Sequence, residues 1–179
     1  MSYGIMPYSI NLDTLEKYYG TDDQQLINNI IKSSKGRLDR LDDDFEEEDG
    51  WQKAETILSD FLNGKLEVGE GNSAKHWYIL EILIEGFGSM LNNGNWYPAS
   101  IDDLYDYSEL QMFLVSKTGK FKLPSPDDFP TSFTIQNKNL SAAAKEIESS
   151  DYDAAQKSEF QSWIATAQQN DQDLVLFYY

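Results

Sequence analysis

A run of acidic side chains is the part of this sequence best equipped for chemistry. Seven of the eight positions from Asp42 to Asp49 carry a carboxylate, and only Phe45 interrupts them. Dense carboxylates can hold Ca²⁺ or Mg²⁺, but an EF-hand loop spaces its acids at alternate positions around a central glycine. Here the acids are contiguous and Gly50 follows them. Contiguous side chains diverge, so no metal ligand is predicted.

Two interpretations of the acidic run are open. The plainer one is a solvated, partly mobile loop, which is the commonest origin of a charge run. The functional one is a surface that attracts a basic partner, with aromatic anchors that turn long-range attraction into contact. The predicted partner-binding residues are the run and the tryptophan that follows it: Asp42, Asp43, Asp44, Phe45, Glu46, Glu47, Glu48, Asp49 and Trp51.

The residue types that most often carry catalysis are scarce. The chain has no cysteine, which excludes disulfides, thiolate nucleophiles and cysteine-ligated metals. Its single histidine, His76, falls near the centre of the apolar arc of a predicted helix. No G-x-S-x-G nucleophile motif and no phosphate-binding glycine loop occurs. We therefore predict a packed structural histidine, no catalytic residue and no cofactor.

Some acids are spaced so that they share a helix face. Glu81 with Glu85, and Asp102 with Asp106, lie four residues apart. Such a pair can form a cation site or the acid and base of a hydrolase. In a chain with 31 acids such spacings arise by chance, so exposed helix faces are the favoured interpretation.

The charge balance limits the choice of partner. Thirty-one acids against 14 bases give a formal charge of −17, which repels nucleic acid and anionic membranes and attracts cations. We predict a basic protein partner and neither a nucleic-acid nor a membrane partner. An acid-biased or salty habitat is the alternative explanation. The absence of a signal peptide and of a long apolar segment predicts a cytoplasmic protein.

The first half of the chain is predicted as one strand followed by helices. Alternation over Gly4 to Ile10 indicates a strand, which Pro7 would confine to a sheet edge or a bulge. After Asp39 the apolar period fades and acids take over. Four helices are predicted: one capped by Asn11 and ended by Gly20, one opened by a capping box at Thr21 and Gln24, one from Trp51 to Gly64, and one from Ser73 to about Leu91.

The second half is predicted to complete a small sheet. Trp96 and Tyr97, in the loop after the fourth helix, are interpreted as a core lid, and an exposed contact is the alternative. A hairpin is predicted over Met112 to Leu123, with Lys117, Lys120 and Lys122 as solvated lysines protecting its edge. The remaining elements are a strand over Ser132 to Gln136, helices over Ser141 to Glu148 and Tyr152 to Gln169, and an apolar strand over Leu174 to Tyr179 that is covered on both faces.

These elements predict a single α+β domain over residues 1–179. It is rich in helix and has a small mixed sheet that includes the N- and C-terminal strands, which brings the two termini close together. A chain of this length can bury a core of its own without disulfides or metals.

The two ends of the chain resemble those of a known family. The opening Met1 to Tyr8, with Asn11 to Asp13 and the turn from Gly20 to Leu26, is similar to the start of a family of bacterial proteins classed as a domain of unknown function. Trp163 and the strand from Leu174 resemble that family's ending. The resemblance implies a bacterial, cytoplasmic protein and brings no catalytic residue with it.

The leading hypothesis is a non-enzymatic binding protein of the immunity or inhibitor type. It would occlude a basic partner, for example a nuclease-like toxin, through an acidic surface that includes Asp42 to Asp49. The alternative is a hydrolase using clustered carboxylates with or without a divalent cation. A scaffold or oligomer-forming protein is a third reading, and the sequence predicts no oligomeric state.

Overall fold

The computed structural model describes residues 3–46, 51–68, 73–99, 101–126 and 129–179, with the side chains of residues 102 and 103 left out. The fold is α+β, as predicted. Its strands are β1 (Ile5–Ile10), β2 (Ser89–Met90), β3 (Gln111–Met112), β4 (Thr131–Ile135) and β5 (Asp173–Tyr178). Its helices are α1 (Leu12–Tyr18), α2 (Gln24–Asp44), α3 (Ala54–Leu62), α4 (Ala74–Phe87), α5 (Leu140–Ser149) and α6 (Ala154–Gln169), with short 3₁₀ helices at Asp102–Asp106 and Asn137–Asn139.

The five strands form one sheet in the order β2-β1-β5-β4-β3. Every pairing is antiparallel, so the prediction of a mixed sheet is corrected. Between β4 and β5 the two helices α5 and α6 bring the chain back to the edge of the sheet at which β4 ends, so β5 runs antiparallel to β4. Strands β1 and β5 pair along their full length, from Ile5 opposite Tyr178 to Ile10 opposite Asp173. The terminal strands are therefore neighbours, as predicted.

Pro7 lies in an inner strand, although proline was expected to confine that strand to an edge or a bulge. Gly4 exchanges two backbone hydrogen bonds with Tyr179. In an antiparallel ladder only every second residue of a strand bonds to the same neighbouring strand, so the residues of β1 that bond to β5 are the even-numbered ones. An N–H at Pro7 would therefore point away from β5, toward the short β2. The carbonyl of Pro7 still accepts a hydrogen bond from the Leu91 N–H at 2.9 Å. Proline thus removes no bond from the β1–β5 ladder.

Each face of the sheet carries its own hydrophobic core. Val175 and Phe177 of β5 pack with α1 to α4 on one face. Leu174 and Leu176 pack with α5 and α6 on the other. This explains the unbroken apolar ending of the chain and confirms that it is an interior strand covered on both faces. Trp96 is fully buried in the second core, as a core lid requires, whereas Tyr97 is 45% exposed, so the lid prediction is wrong for Tyr97.

The helix termini follow local chemistry with two exceptions. Asn11 caps α1 by accepting the Asp13 N–H at 2.9 Å, and Gly20 ends it with φ +72°. At α2 the cap is Asp23, which accepts the Leu26 N–H, so the capping box predicted at Thr21 is wrong. Helix α4 ends at Phe87 rather than near Leu91. Gly88 is the C-cap in extended conformation, and a β-carbon there would lie 2.5 Å from the Ser9 carbonyl oxygen, so the close approach of the chain to β1 requires glycine.

The predicted hairpin over Met112 to Leu123 is wrong. Only β3 is a strand, and it pairs with β4. The segment after β3 is a loop that contacts α1 and the residue that ends it. Two of its lysines bond to distant parts of the chain. Lys117 lies 2.9 Å from the Asp173 carboxylate, and Lys120 donates to the Glu16 and Tyr19 carbonyls. These two lysines are internal ties rather than edge protection.

Within the described ranges, no helix is long and apolar enough to cross a membrane.

Candidate functional site

The acidic run begins inside a helix. Asp42, Asp43 and Asp44 form the last turn of α2, Phe45 is its C-cap and Glu46 follows. Helix α2 therefore continues past Asp39, where the apolar period fades. The interpretation as a mobile loop does not hold for the first three acids. Three further predicted residues, Glu47, Glu48 and Asp49, lie outside the described residues.

Asp42 is used inside the protein. Its Oδ1 accepts a hydrogen bond from the Lys75 Nζ at 2.6 Å and from the Ala54 N–H, at the start of α3, at 2.8 Å. Lys75 belongs to α4 and is only 3% exposed. Burial by itself would raise the pKa of Asp42, but the ammonium and the N–H outweigh it and hold that pKa below its usual range. Asp42 thus ties three helices together.

Phe45 and Trp51 form one half-buried aromatic pair. Their rings stack with centroids 4.7 Å apart and an angle of 21° between planes. The Phe45 ring also lies 6.0 Å from that of Tyr78 on α4, and the Lys75 ammonium is 5.9 Å from its centroid. The two anchors predicted from the sequence are therefore brought together, next to α4.

The other acids at this helix end face solvent. Asp43, Asp44 and Glu46 are all exposed, and the structure gives none of them an ion pair within its described ranges. The last turn of α2 also contains no basic residue. We call these three side chains the acidic helix end.

Buried carboxylates elsewhere have evident structural partners. Glu16 accepts from Ser116 and Thr118, and thereby fixes the loop after β3. The other two accept from backbone N–H groups: Glu159 from Gly94 and Asn95, and Asp173 from Leu12 and Asn137. Each of these acids satisfies the backbone of a loop or a helix start, which accounts for its burial.

Glu81 is the buried acid that lacks such partners. It is 5% exposed, so the prediction that it lies on an exposed helix face is wrong, because β1 and the C-terminal residue cover it. Its Oε1 accepts the Tyr8 hydroxyl at 2.8 Å and the Tyr179 hydroxyl at 3.3 Å. No described residue donates a hydrogen bond to Oε2 or forms an ion pair with Glu81. Its helix neighbour Glu85 is exposed and lies 2.5 Å from Arg37.

The environment of Glu81 changes its acidity. Burial raises the pKa of Glu81 from 4.5 to about 7, and the two tyrosine hydroxyls and Arg37 offset only part of this effect. Burial and the nearby Glu81 carboxyl also raise the pKa values of Tyr8 and Tyr179, so both hydroxyls keep their protons at neutral pH. Glu81 can therefore gain or lose a proton near neutrality.

Glu81 forms part of the lining of a surface depression of about 180 Å³ between α2 and α4. We call it the Glu81 depression. Helix α2 contributes charged side chains and α4 contributes an aromatic ring. The principal lining residues are Arg37, Arg40, Leu41, Asp44, Tyr78 and Glu81. Asp44 belongs both to this lining and to the acidic helix end, so the two features are continuous.

Two other predicted sites have plain outcomes. His76 is 6% exposed, in agreement with a packed histidine. Among the described residues, no group of three or more acids and histidines is placed to hold a metal ion. The side chain of Asp102, which was paired with Asp106 by spacing, lies outside what the structure describes.

Fold and site together define an α+β protein with helices on both faces of an antiparallel sheet and an acidic helix end beside a buried carboxyl. The chain belongs to the family described as Domain of unknown function (DUF7691), whose model matches residues 1–179. The match covers the whole chain and is not confined to its two ends. No curated protein and no solved structure matches it.

Proposed function

We propose that this protein is a non-enzymatic binding protein of the immunity or inhibitor type, which occludes a basic protein partner. The acidic helix end is the centre of its contact surface. The observation that supports this most is the exposure of Asp43, Asp44 and Glu46 at the C-terminal end of a 21-residue helix.

That placement is unfavourable for the free protein. The C-terminal end of a helix carries a partial negative charge, and an acid there costs about 0.3–1 kcal/mol at low ionic strength. Three acids without a basic residue in the same turn therefore repel both the helix end and one another. A cationic partner removes this repulsion on docking, and such a surface speeds association more than it slows dissociation.

The neighbouring aromatic pair supplies contact area. Phe45 and Trp51 are partly buried and stacked on each other, so their positions are fixed before a partner arrives. Rigid aromatic side chains lose little entropy on binding and are common among the residues that dominate interfaces. Charge thus attracts the partner, and Trp51 with Phe45 provides the apolar contact.

The test compares two variants with the same change in net charge. D43N/D44N/E46Q neutralises the acidic helix end, and D22N/E148Q/D151N neutralises three exposed acids elsewhere. Immobilised wild-type protein should capture a basic partner from a lysate of the native host at low salt, and the first variant should lose it. The control variant should keep it.

The purified pair should then be compared at rising salt concentration. The association rate should fall steeply with added salt, since the Debye length shrinks from about 30 Å at 0.01 M to about 10 Å at 0.1 M. Equal losses in the two variants would show that net charge, rather than this surface, is responsible. Absence of any partner at low salt would contradict the proposal itself.

A second candidate is a hydrolase that uses clustered carboxylates. The observation that favours it is the Glu81 depression, where one carboxyl has a raised pKa and Asp44 lines the same wall. Glu81 would act as the general acid. Wild type and E81Q should be compared on chromogenic ester, phosphate and glycoside substrates between pH 5 and 8. Turnover by the wild type that disappears in E81Q would establish this function.

A further inference from the structure

We propose that the Glu81 depression is a socket for one arginine side chain of the basic partner. This inference rests on the proposed function and adds to it the residue that the partner must present. It follows from the hydrogen bonds, the charges and the shape of the depression.

The hydrogen bonds leave one carboxyl oxygen available. Both tyrosine hydroxyls donate to Oε1 of Glu81, and no described residue donates to Oε2. Glu81 lines the depression, so an N–H donor of a ligand can bind Oε2 in place of water. Tyr8 and Tyr179 also hold the carboxyl in one orientation, so Oε2 is positioned before any ligand binds.

The charges around the depression favour a cation. Arg37 is paired with Glu85 at 2.5 Å, and Arg40 lies four positions before Asp44, on the same face of α2. Three acids, Asp44, Glu81 and Glu85, therefore surround the depression together with these two arginines. One negative charge is in excess when Glu81 is ionised, which favours a cation.

The shape and the aromatic lining favour arginine over lysine. A planar guanidinium can donate to Oε2 while its face lies against the Tyr78 ring, which a compact ammonium does less well. The volume of about 180 Å³ accommodates one long side chain rather than a segment of backbone. Tyr78 lies beside Phe45, so an arginine in the socket adjoins the surface proposed above.

The protonation of Glu81 makes binding depend on pH. The carboxyl of free protein loses its proton near pH 7, and only the ionised form attracts a guanidinium strongly. Affinity should therefore fall as the pH is lowered below about 7, by up to about tenfold per pH unit. The titratable and charged groups around Glu81 come from four parts of the chain: Tyr8, Arg37, Arg40, Asp44, Tyr78, Glu85 and Tyr179.

The first experiment uses the wild-type chain and blocked amino acids. N-acetyl-arginine methylamide is titrated into ¹³C-labelled protein at pH 8, 7, 6 and 5, and the Glu81 side-chain carboxyl resonance is followed by NMR. We expect saturable binding at pH 8, a lower Glu81 pKa in the complex, and weaker binding of the lysine analogue. Binding that strengthens toward pH 5 would overturn the proposal, since it would indicate an anion held by the arginines.

The second experiment uses variants. E81Q keeps the shape of the side chain and should weaken binding of the blocked arginine at pH 8 by about tenfold or more, as expected when a hydrogen bond to a charged group is lost. The control variant E148Q changes an exposed glutamate outside the depression and should bind the blocked arginine as the wild type does. If E81Q does not fold, the wild-type pH profile decides alone.

The socket and the proposed function can fail separately. If E81Q binds the blocked arginine as the wild type does, while D43N/D44N/E46Q loses the basic protein partner, the socket is refuted and the binding function stands. If E81Q loses the blocked arginine but no basic protein partner is found, the socket stands and the binding function is refuted.

Discussion

At the scale of single residues, neighbouring acids in this chain differ in what they do. Asp42 binds Lys75 and the start of α3, whereas Asp43, one position later, faces solvent. The sequence treats the two alike, because nothing local distinguishes them. The difference comes from Lys75, which is 33 positions away along the chain.

This difference can be measured by substitution. Asp42→Asn should lower the free energy of unfolding by about 3 kcal/mol or more, because it leaves Lys75 charged and buried without its partner. Asp43→Asn should change it by less than about 0.5 kcal/mol, as is usual at the surface. Urea unfolding at pH 7 provides the comparison. Equal effects would show that Lys75 does not depend on Asp42.

Glu81 predicts a pH dependence of stability. Its pKa rises from 4.5 in the unfolded chain to about 7 in the folded protein, so the folded state binds this proton more tightly. The contribution of Glu81 protonation to the free energy of unfolding is complete below pH 4.5. It decreases as the pH rises from 4.5 to about 7, and above that pH it no longer changes. The shift corresponds to about 3 kcal/mol.

The measurement isolates Glu81 from the other acids by difference. The free energies of unfolding of wild type and E81Q are determined in urea from pH 4.5 to 8. The difference between them should move by about 3 kcal/mol in favour of E81Q over this range. The same difference for E148Q should stay constant. A flat result for E81Q would mean that Glu81 titrates like an exposed acid.

At the scale of elements, helix α2 extends further than its apolar period predicts. Its apolar period fades after Asp39, yet it continues to Asp44. Leu38 and Leu41 keep its later turns buried against the core, and the acids occupy the remaining faces. An amphipathic helix needs only a stripe of apolar residues, so an acidic stretch can extend it.

The acidic helix end should be a local weakness of the free protein. Neutralising Asp43, Asp44 and Glu46 removes three charges from the negative pole of α2 and should stabilise the fold by about 1–2 kcal/mol at low salt. D22N/E67Q/D151N, which neutralises three exposed acids outside the helices, serves as the control, and the gain should shrink at 0.5 M salt. Thermal unfolding of both variants measures it. Destabilisation of the first variant would reveal internal partners for these acids.

Local signals predict the structure correctly where they act over a few residues. Asn11 caps a helix, Gly20 ends it and the apolar ending is a buried strand, as the sequence predicts. The hairpin over Met112 to Leu123 is not present, because alternation of apolar residues cannot distinguish a strand from a loop that buries Val115 and Phe121. The tie from Lys117 to Asp173 spans distant parts of the chain and has no local signature.

At the scale of the whole molecule, one sheet joins two cores. Helices α1 to α4 cover one face of it and α5 and α6 the other, and β5 lies at its centre with side chains in both cores. Removal of β5 would take Val175 and Phe177 from one core and Leu174 and Leu176 from the other. We therefore expect the domain to unfold as one cooperative unit.

Deletion of Leu174 to Tyr179 tests this arrangement. The shortened chain should show no cooperative thermal transition. It should also lose the near-UV circular dichroism that arises from buried tryptophans such as Trp77 in one core and Trp163 in the other. Tyr179→Phe is the matched control, since it keeps the strand and removes only a hydroxyl that donates to Glu81. An unchanged melting curve for the deletion would show that β5 is not central to stability.

The sequence by itself determined what depends on near neighbours: the α+β class, most helices, the buried final strand and the excess negative charge. Tertiary structure decided which charges are available to a partner. It paired Asp42 with the buried Lys75, buried Glu81, bonded Lys117 and Lys120 to distant residues, and left the acidic helix end exposed. The physical reason is that periodicity and capping act over a few residues, whereas the burial and pKa of a carboxyl depend on whichever distant segments come to cover it.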